Sequence, residues 1–328
     1  MNKQIIVDIK AILLLLAVIA GAFVAFQVKA VILALFISLI ITLGLSPAVD
    51  WLKRKKLPHL VSVLLVYFGA LITAIALLAI AIVPMFNDTV ALANNFPKYL
   101  DNITKIKELE PITKNLDQRL SDQLSGLVGN LATTTVSAVT GFLMIVTTLV
   151  FTAYMLMDFE NIRNFFINLF PKKNREEIKT IILTVETKLS LWLRGQITLM
   201  VIVGSMSYIG LVLLGIPYAM SLALIAGMLE MVPMVGPTVA LVPALIVGFA
   251  TSPIHGIGVL GLYILIQQLE NNLIVPKVMQ KAVGFNPLAT MVAIIIGGTL
   301  MGILGALLAV PTTLVAVTTI KHYLKKQY

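Results

Sequence analysis

The chain has 328 residues, 59% of them apolar and 12% charged, with a net charge of +9 and no cysteine. Soluble domains are about 45–50% apolar and about 25% charged. A mean hydropathy of +1.00 therefore specifies lipid as the solvent. This excludes a soluble enzyme, a disordered chain and a nucleic-acid-binding domain, and the positive charge reads as basic cytoplasmic loops. Without cysteine there is no disulfide, iron–sulfur or thiol chemistry. The scattered His59, His255 and His322 form no metal constellation, and no cofactor is expected.

Lys3 and Lys10 precede a first apolar run, Ala11 to Phe26. A short turn with Lys29 leads into a second, Ala30 to Val49, so the pair reads as a membrane hairpin and not as a cleaved signal peptide. The next loop carries the four bases Lys53 to Lys56 and is placed in the cytoplasm. A third span covers Leu60 to Phe86, closing an N-terminal unit of three spans over residues 1–86. The polar insert at 87–134 has no positive bias, holding six acids and five bases between Asn87 and Asn130, and belongs outside. A fourth span, 135–157, is followed by a segment at 158–194 with seven Lys/Arg, placed inside. A fifth span begins near Gly195, and the tail with Lys321, Lys325 and Lys326 is again cytoplasmic, as is the N-terminus.

Both polar inserts carry a one-sided apolar stripe at helical spacing: Leu116, Leu120, Leu124, Leu127 and Leu131 outside, and Ile178, Ile182, Val185, Leu189 and Trp192 inside. Each reads as a helix packed on the spans or lying at the interface, or as an oligomer contact.

The last unit, 195–328, is different. Residues 195–311 hold 8 of the 14 prolines and 15 of the 21 glycines. Such residues break helices, and the freed backbone groups must be satisfied by protein or by a wet cavity. Broken helices gathered in one region are a pointer to a transport site. Tyr218 to Ala250 is 33 residues without Lys or Arg, interrupted by Glu230-Met231-Val232-Pro233-Met234-Val235-Gly236-Pro237. Arms of about 14 residues, about 20 Å each, suit a re-entrant hairpin. Asn286 to Ile320 repeats the problem over 35 residues, with a break placed at Gly297-Gly298. The expected fold is all-α and polytopic, with about six full spans and two re-entrant helical hairpins, or alternatively eight spans. Lys277 and Lys281 favour the re-entrant form, in which two hairpin tips nearly meet at the midplane.

Glu230 and Glu270 are the acids inside these apolar segments. An intramembrane acid costs about 2.5–3.5 kcal/mol on insertion scales and defaults to a functional hypothesis. Glu230 reads either as a proton, Na⁺ or polar-substrate site at a hairpin tip, or as a cap for free N–H groups at the break. Glu270 sits among Gln267, Gln268, Asn271 and Asn272, which line a permeation path or else mark the cytoplasmic end of the span. Arg194 and Gln196 at the entry to span five are anchor or gate candidates. Pro233, Gly236, Pro237, Pro276, Gly297 and Gly298 are tip or hinge candidates, whose plainer reading is a simple kink. No phosphate loop, catalytic carboxylate pair or metal pattern is present, so the chain reads as a non-enzyme without ATP drive.

Several blocks carry a resemblance: Leu193-Arg194-Gly195-Gln196, Leu214-Gly215-Ile216-Pro217-Tyr218-Ala219, Glu230 to Pro237, Val242-Pro243-Ala244, Gln267 to Asn272 with Pro276, Asn286-Pro287, and Gly297-Gly298 through Val310-Pro311. Their order and spacing resemble the autoinducer-2 exporter family of bacterial membrane transporters. The resemblance implies a multi-pass protein of the bacterial inner membrane. It further implies a homo-oligomer, by resemblance a pentamer, with two hairpins, an elevator-like movement and a small polar cargo such as a quorum signal. Some members are described as sodium(lithium)/proton antiporters. Three functions follow as expectations: export of a small polar solute, monovalent cation/proton antiport, and a non-transporting membrane scaffold.

Overall fold

The computed structural model describes residues 16, 20, 21, 23, 24, 27–80, 134–233, 235–279 and 287–325. Most of the first expected span, the outer insert apart from Thr134, and the loop with Lys281 and Gly284 lie outside the described residues. The described elements are α1 (Lys29–Arg54), α2 (His59–Ile80), α3 (Thr134–Asn168), α4 (Arg175–Leu213), α5 (Ala219–Leu229), α6 (Val235–Thr251), α7 (Pro253–Leu269), α8 (Val275–Met279) and α9 (Pro287–Lys325). Among the described residues there is no strand, and six helical stretches are long and apolar enough to cross a membrane. The protein is an all-α polytopic membrane protein.

In lipid a hydroxyl finds its partner in a helix carbonyl, and this ties the first three helices together. Ser38 donates to Thr148 O at 2.9 Å, and Tyr67 to Leu149 O at 3.1 Å. Val49, Val63 and Leu156 close the same sheaf with apolar contact.

The segment at 158–194 is not a free-standing insert. α3 runs on to Asn168 through a kink at Asp158 (φ −129°, ψ 26°), and α4 begins at Arg175 and continues unbroken to Leu213. At about 1.5 Å per residue a helix of 39 residues is nearly twice the thickness of the hydrocarbon core of about 30 Å. The physical reason lies in the stripe found in the sequence. Leu189 and Trp192 are fully buried and pack with Ile40 and Leu43 of α1 and Leu308 and Leu314 of α9, while Val185 fits against the same cluster. The stripe is consumed inside the chain, so the helix has no reason to end at residue 194. Polar ties follow the same path. Ser190 donates to Leu43 O at 2.7 Å, Lys188 to the Thr318 hydroxyl at 3.2 Å, and Arg163 Nε to the Glu186 carboxylate at 2.9 Å. Trp192→Ala should cost about 3–5 kcal/mol, the usual penalty for emptying a large core site, read as a lower thermal midpoint in detergent.

Both long apolar stretches of the last unit reverse on themselves. The first does so between α5 and α6, whose Leu222, Ala226, Ala240, Ala244 and Val247 share one cluster with Val259 and Tyr263 of α7. Its turn is tight at Gly236, where a Cβ would collide with the backbone of Leu229 and Glu230. Pro237 stands in the first turn of α6, where a missing N–H costs nothing. The second reversal lies within α9, at Met301 and Gly302, and not at Gly297-Gly298. Gly302 has φ +61° and ψ −143°, a conformation in practice open only to glycine. Gly297 and Gly305 instead face each other across the reversal, so close that a Cβ on either would strike the other's carbonyl. Their small size serves the approach of two arms, not the turn.

The two tips do not meet. Met231 and Val232 of the first tip pack against the cluster that holds Ile294, Leu308 and Leu314 of α9. The second tip is open, with Leu300 76% and Ile303 82% exposed.

Candidate functional site

Three elements converge on one buried polar cluster. α4 contributes Gln196, the turn after α5 contributes Glu230, and the end of α7 contributes Glu270; their exposures are 0%, 0% and 1%. The approach is close because Gly195 lets Val278 and Met279 of α8 lie directly on α4. Gln196 Nε2 donates to the main-chain oxygen of Glu230 at 2.5 Å. That bond fixes the amide, because a carbonyl can only accept, and so the Gln196 Oε1 is left as a free acceptor. Among the described residues it has no partner, nor does either carboxylate oxygen of Glu230, nor Oε2 of Glu270. Glu270 stands close enough for its charge to act on Glu230.

The cluster is therefore made of acceptors. Buried polar groups in native proteins are nearly all paired, so four orphaned oxygens at one place require an explanation. The Glu230 side chain does not cap the free N–H groups of its turn; the backbone closes that turn itself, through Met231 N to Met228 O, Val232 N to Leu229 O and Gly236 N to Val232 O. At Glu270 the helix widens into a π-turn, Glu270–Ile274, before α8 resumes. Such turns are often found at functional sites.

Of the neighbours picked out with Glu270, only Glu270 itself points inward. Gln267 is half-buried, while Gln268, Asn271 and Asn272 are exposed, and Asn272 Nδ2 donates to the Gln268 side chain at 2.9 Å. Pro276 is an exposed residue within α8 and marks no tip. Pro233 lies in the first hairpin's turn. Arg194 is exposed and donates to the Ser190 hydroxyl at 2.9 Å; it makes no ion pair with Glu270 among the described residues. It opens into a separate cavity of about 500 Å³ lined with Ser46, Asp50, Lys53, Asp158 and Ser190.

Two further buried polar residues, Ser207 and Tyr263, stand with their hydroxyls facing each other, without a full hydrogen bond. Spacing alone could have found them. Ser207 lies eleven residues after Gln196, three helical turns on the same face, and Tyr263 lies seven before Glu270, two turns on the same face.

The profile of the AI-2E family transporter matches residues 12–325. The chain belongs to the AI-2E transporter family. Among relatives named as transport proteins, YueF of Bacillus subtilis (strain 168) is 30% identical over 286 residues, 79% of this chain and 75% of its own length. YrrI of the same organism is 28% identical over 318 residues, covering 91% of this chain and 88% of its own. A sodium-lithium/proton antiporter of Halobacillus andaensis is 24% identical over 331 residues, with 94% and 93% covered. As an AI-2E family member, the chain is a multi-pass bacterial membrane protein of a family of transport proteins.

Proposed function

We propose that the protein is a secondary transporter that exchanges a monovalent cation, Na⁺ or Li⁺, for protons at the cluster of Glu230, Glu270 and Gln196. The observation that carries this reading is the set of buried acceptor oxygens that have no hydrogen-bond partner among the described residues. A proton or a small cation supplies what each oxygen lacks, and a neutral polar solute supplies it less completely. Oxygen-only ligands suit hard cations. Discontinuous helices place such sites where backbone carbonyls are also free, and both carboxylates here sit at interruptions, a hairpin turn and a π-turn. The likeness to the Halobacillus andaensis protein supports the choice of ions. In this reading the two hairpins are re-entrant, and the homo-oligomer and elevator-like movement implied by the resemblance carry the site across.

The two ligands compete for the same oxygens. Lowering the pH should therefore weaken apparent Na⁺ affinity, and raising it should strengthen it. Proteoliposomes with an internal pH dye read this directly: Na⁺ or Li⁺ pulses should move protons, and the half-saturating cation concentration should fall as pH rises. A pH-independent half-saturation would sink the competition. Gln196→Leu removes the donor to the Glu230 carbonyl and should cost about 1–3 kcal/mol in thermal stability, with a slower flux.

A second reading is export of a small polar solute. It is favoured by the charged cavity of about 500 Å³ at Arg194 and Asp50, which has room for a small polar solute. Saturable solute flux with no cation response would support it. Silence in both assays would favour the scaffold.

A further inference from the structure

Beyond the kink at Asp158, the last part of α3 has three distinct sides. Phe159, Arg163 and the buried Ile167 form the side fixed to α4, through the Arg163–Glu186 ion pair at 2.9 Å. Glu160, Asn161, Asn164 and Asn168 form a polar side. Phe165, Phe166 and Leu169 form a third side, with Phe170 just beyond, and these four are 62%, 53%, 63% and 42% exposed. The segment is thus an amphipathic helix whose apolar side is left exposed among the described residues.

Its level in the membrane is fixed. His59 Nε2 lies 3.1 Å from Met157 O, and His59 directly follows the basic loop Lys53 to Lys56. The kink therefore sits where the positive-inside rule places the cytoplasmic surface. The chain then turns through Pro171, Lys172, Lys173 and Asn174. Arg175 is spent on this turn, donating to Phe170 O and Asn168 O at 3.0 Å each. Lys172 and Lys173 are exposed and make no ion pair among the described residues.

We propose that residues 159–173 form a foot that lies in the cytoplasmic headgroup layer. Phe165, Phe166 and Leu169 enter the acyl boundary, and Lys172 and Lys173 take the phosphates of anionic lipids. Apolar residues on one face with lysines at the edge are the composition of an interfacial helix, and the cytoplasmic leaflet supplies the complementary charge. The foot is bolted to α4 through Arg163 and Glu186, on the helix that also carries Gln196. It stands independently of what the transport site carries.

The absence of cysteine permits single spin labels at Phe166→Cys, Leu169→Cys and Asn164→Cys in lipid nanodiscs. Labels at 166 and 169 should collide more with oxygen than with a soluble nickel chelate, and the label at 164 should show the reverse. Competition between phosphatidylglycerol and phosphatidylcholine should favour the anionic lipid, and Lys172→Gln with Lys173→Gln should reduce that preference about tenfold. Nickel access at 166 and 169 equal to that at 164 would overturn the proposal, because the segment would then stand in water. Spin–spin broadening at 166 would also overturn it, in favour of a second copy of the chain. An unchanged lipid preference in the double variant would remove the role of the lysines.

Discussion

Glu230→Gln should abolish cation-driven proton flux and yet leave the protein at least as stable as before. The two effects have one cause. The wild-type carboxylate is fully buried with neither oxygen paired, which is an unfavourable arrangement for the fold. Glutamine keeps the shape and removes the buried charge, which relieves about 1 kcal/mol of that cost. The expected gain is about 2 °C in the thermal midpoint. Flux should drop to the level of empty liposomes, because one titrating ligand has gone. Glu270→Gln should behave alike. If Glu230 were instead the cap of its turn, the same change would lower the midpoint and leave flux in proportion to folded protein. Trading stability for function in this direction is what an active site shows and a structural residue does not.

Gly305→Val should be the most damaging single change in the hairpin of α9. The added side chain would have to occupy space filled by the carbonyl of Gly297, and backbone cannot rotate away as a flexible side chain can. Overpacking of this kind costs about 1–3 kcal/mol in a soluble core, and here the upper end is expected. Loss of the arm contact also frees backbone groups at membrane depth. The readout is the yield of folded protein in size-exclusion chromatography together with the thermal midpoint. Gly298→Ala is the control: its Cβ would come no closer than 3.9 Å to the Ala306 Cβ, so it should be close to neutral. Equal damage from both would mean that the two arms do not pack as described.

The membrane class and the two breaks of the last unit are legible in the sequence because lipid imposes length and composition so strictly. The exact position of the second turn was not legible. Gly297, Gly298, Gly302 and Gly305 are identical letters with different duties: Gly302 adopts positive φ, while Gly297 and Gly305 permit close approach. Composition cannot separate the two. The inner stripe was visible as a stripe, but its partner was not, since Leu189 and Trp192 pack on residues nearly 150 positions earlier and more than 100 later in the chain. At the site, Glu230 and Glu270 stood out through the cost of burying charge. The amide-rich run around Glu270 misled by density: helix geometry turns Glu270 inward and leaves Gln268, Asn271 and Asn272 exposed. Gln196 reads from the sequence only as an anchor or gate, because its partner is a main-chain oxygen in a turn 34 residues away.

The most direct test of the central claim is proton release on cation binding to the purified, detergent-solubilised protein. LiCl or NaCl is titrated calorimetrically in two buffers that differ in ionisation heat. The account predicts saturable binding with protons released in the wild type. Release should be lost in Glu230→Gln and in Glu270→Gln, with choline chloride silent throughout. Binding of equal strength and proton count in both variants would contradict it, as would a wild type that binds neither ion.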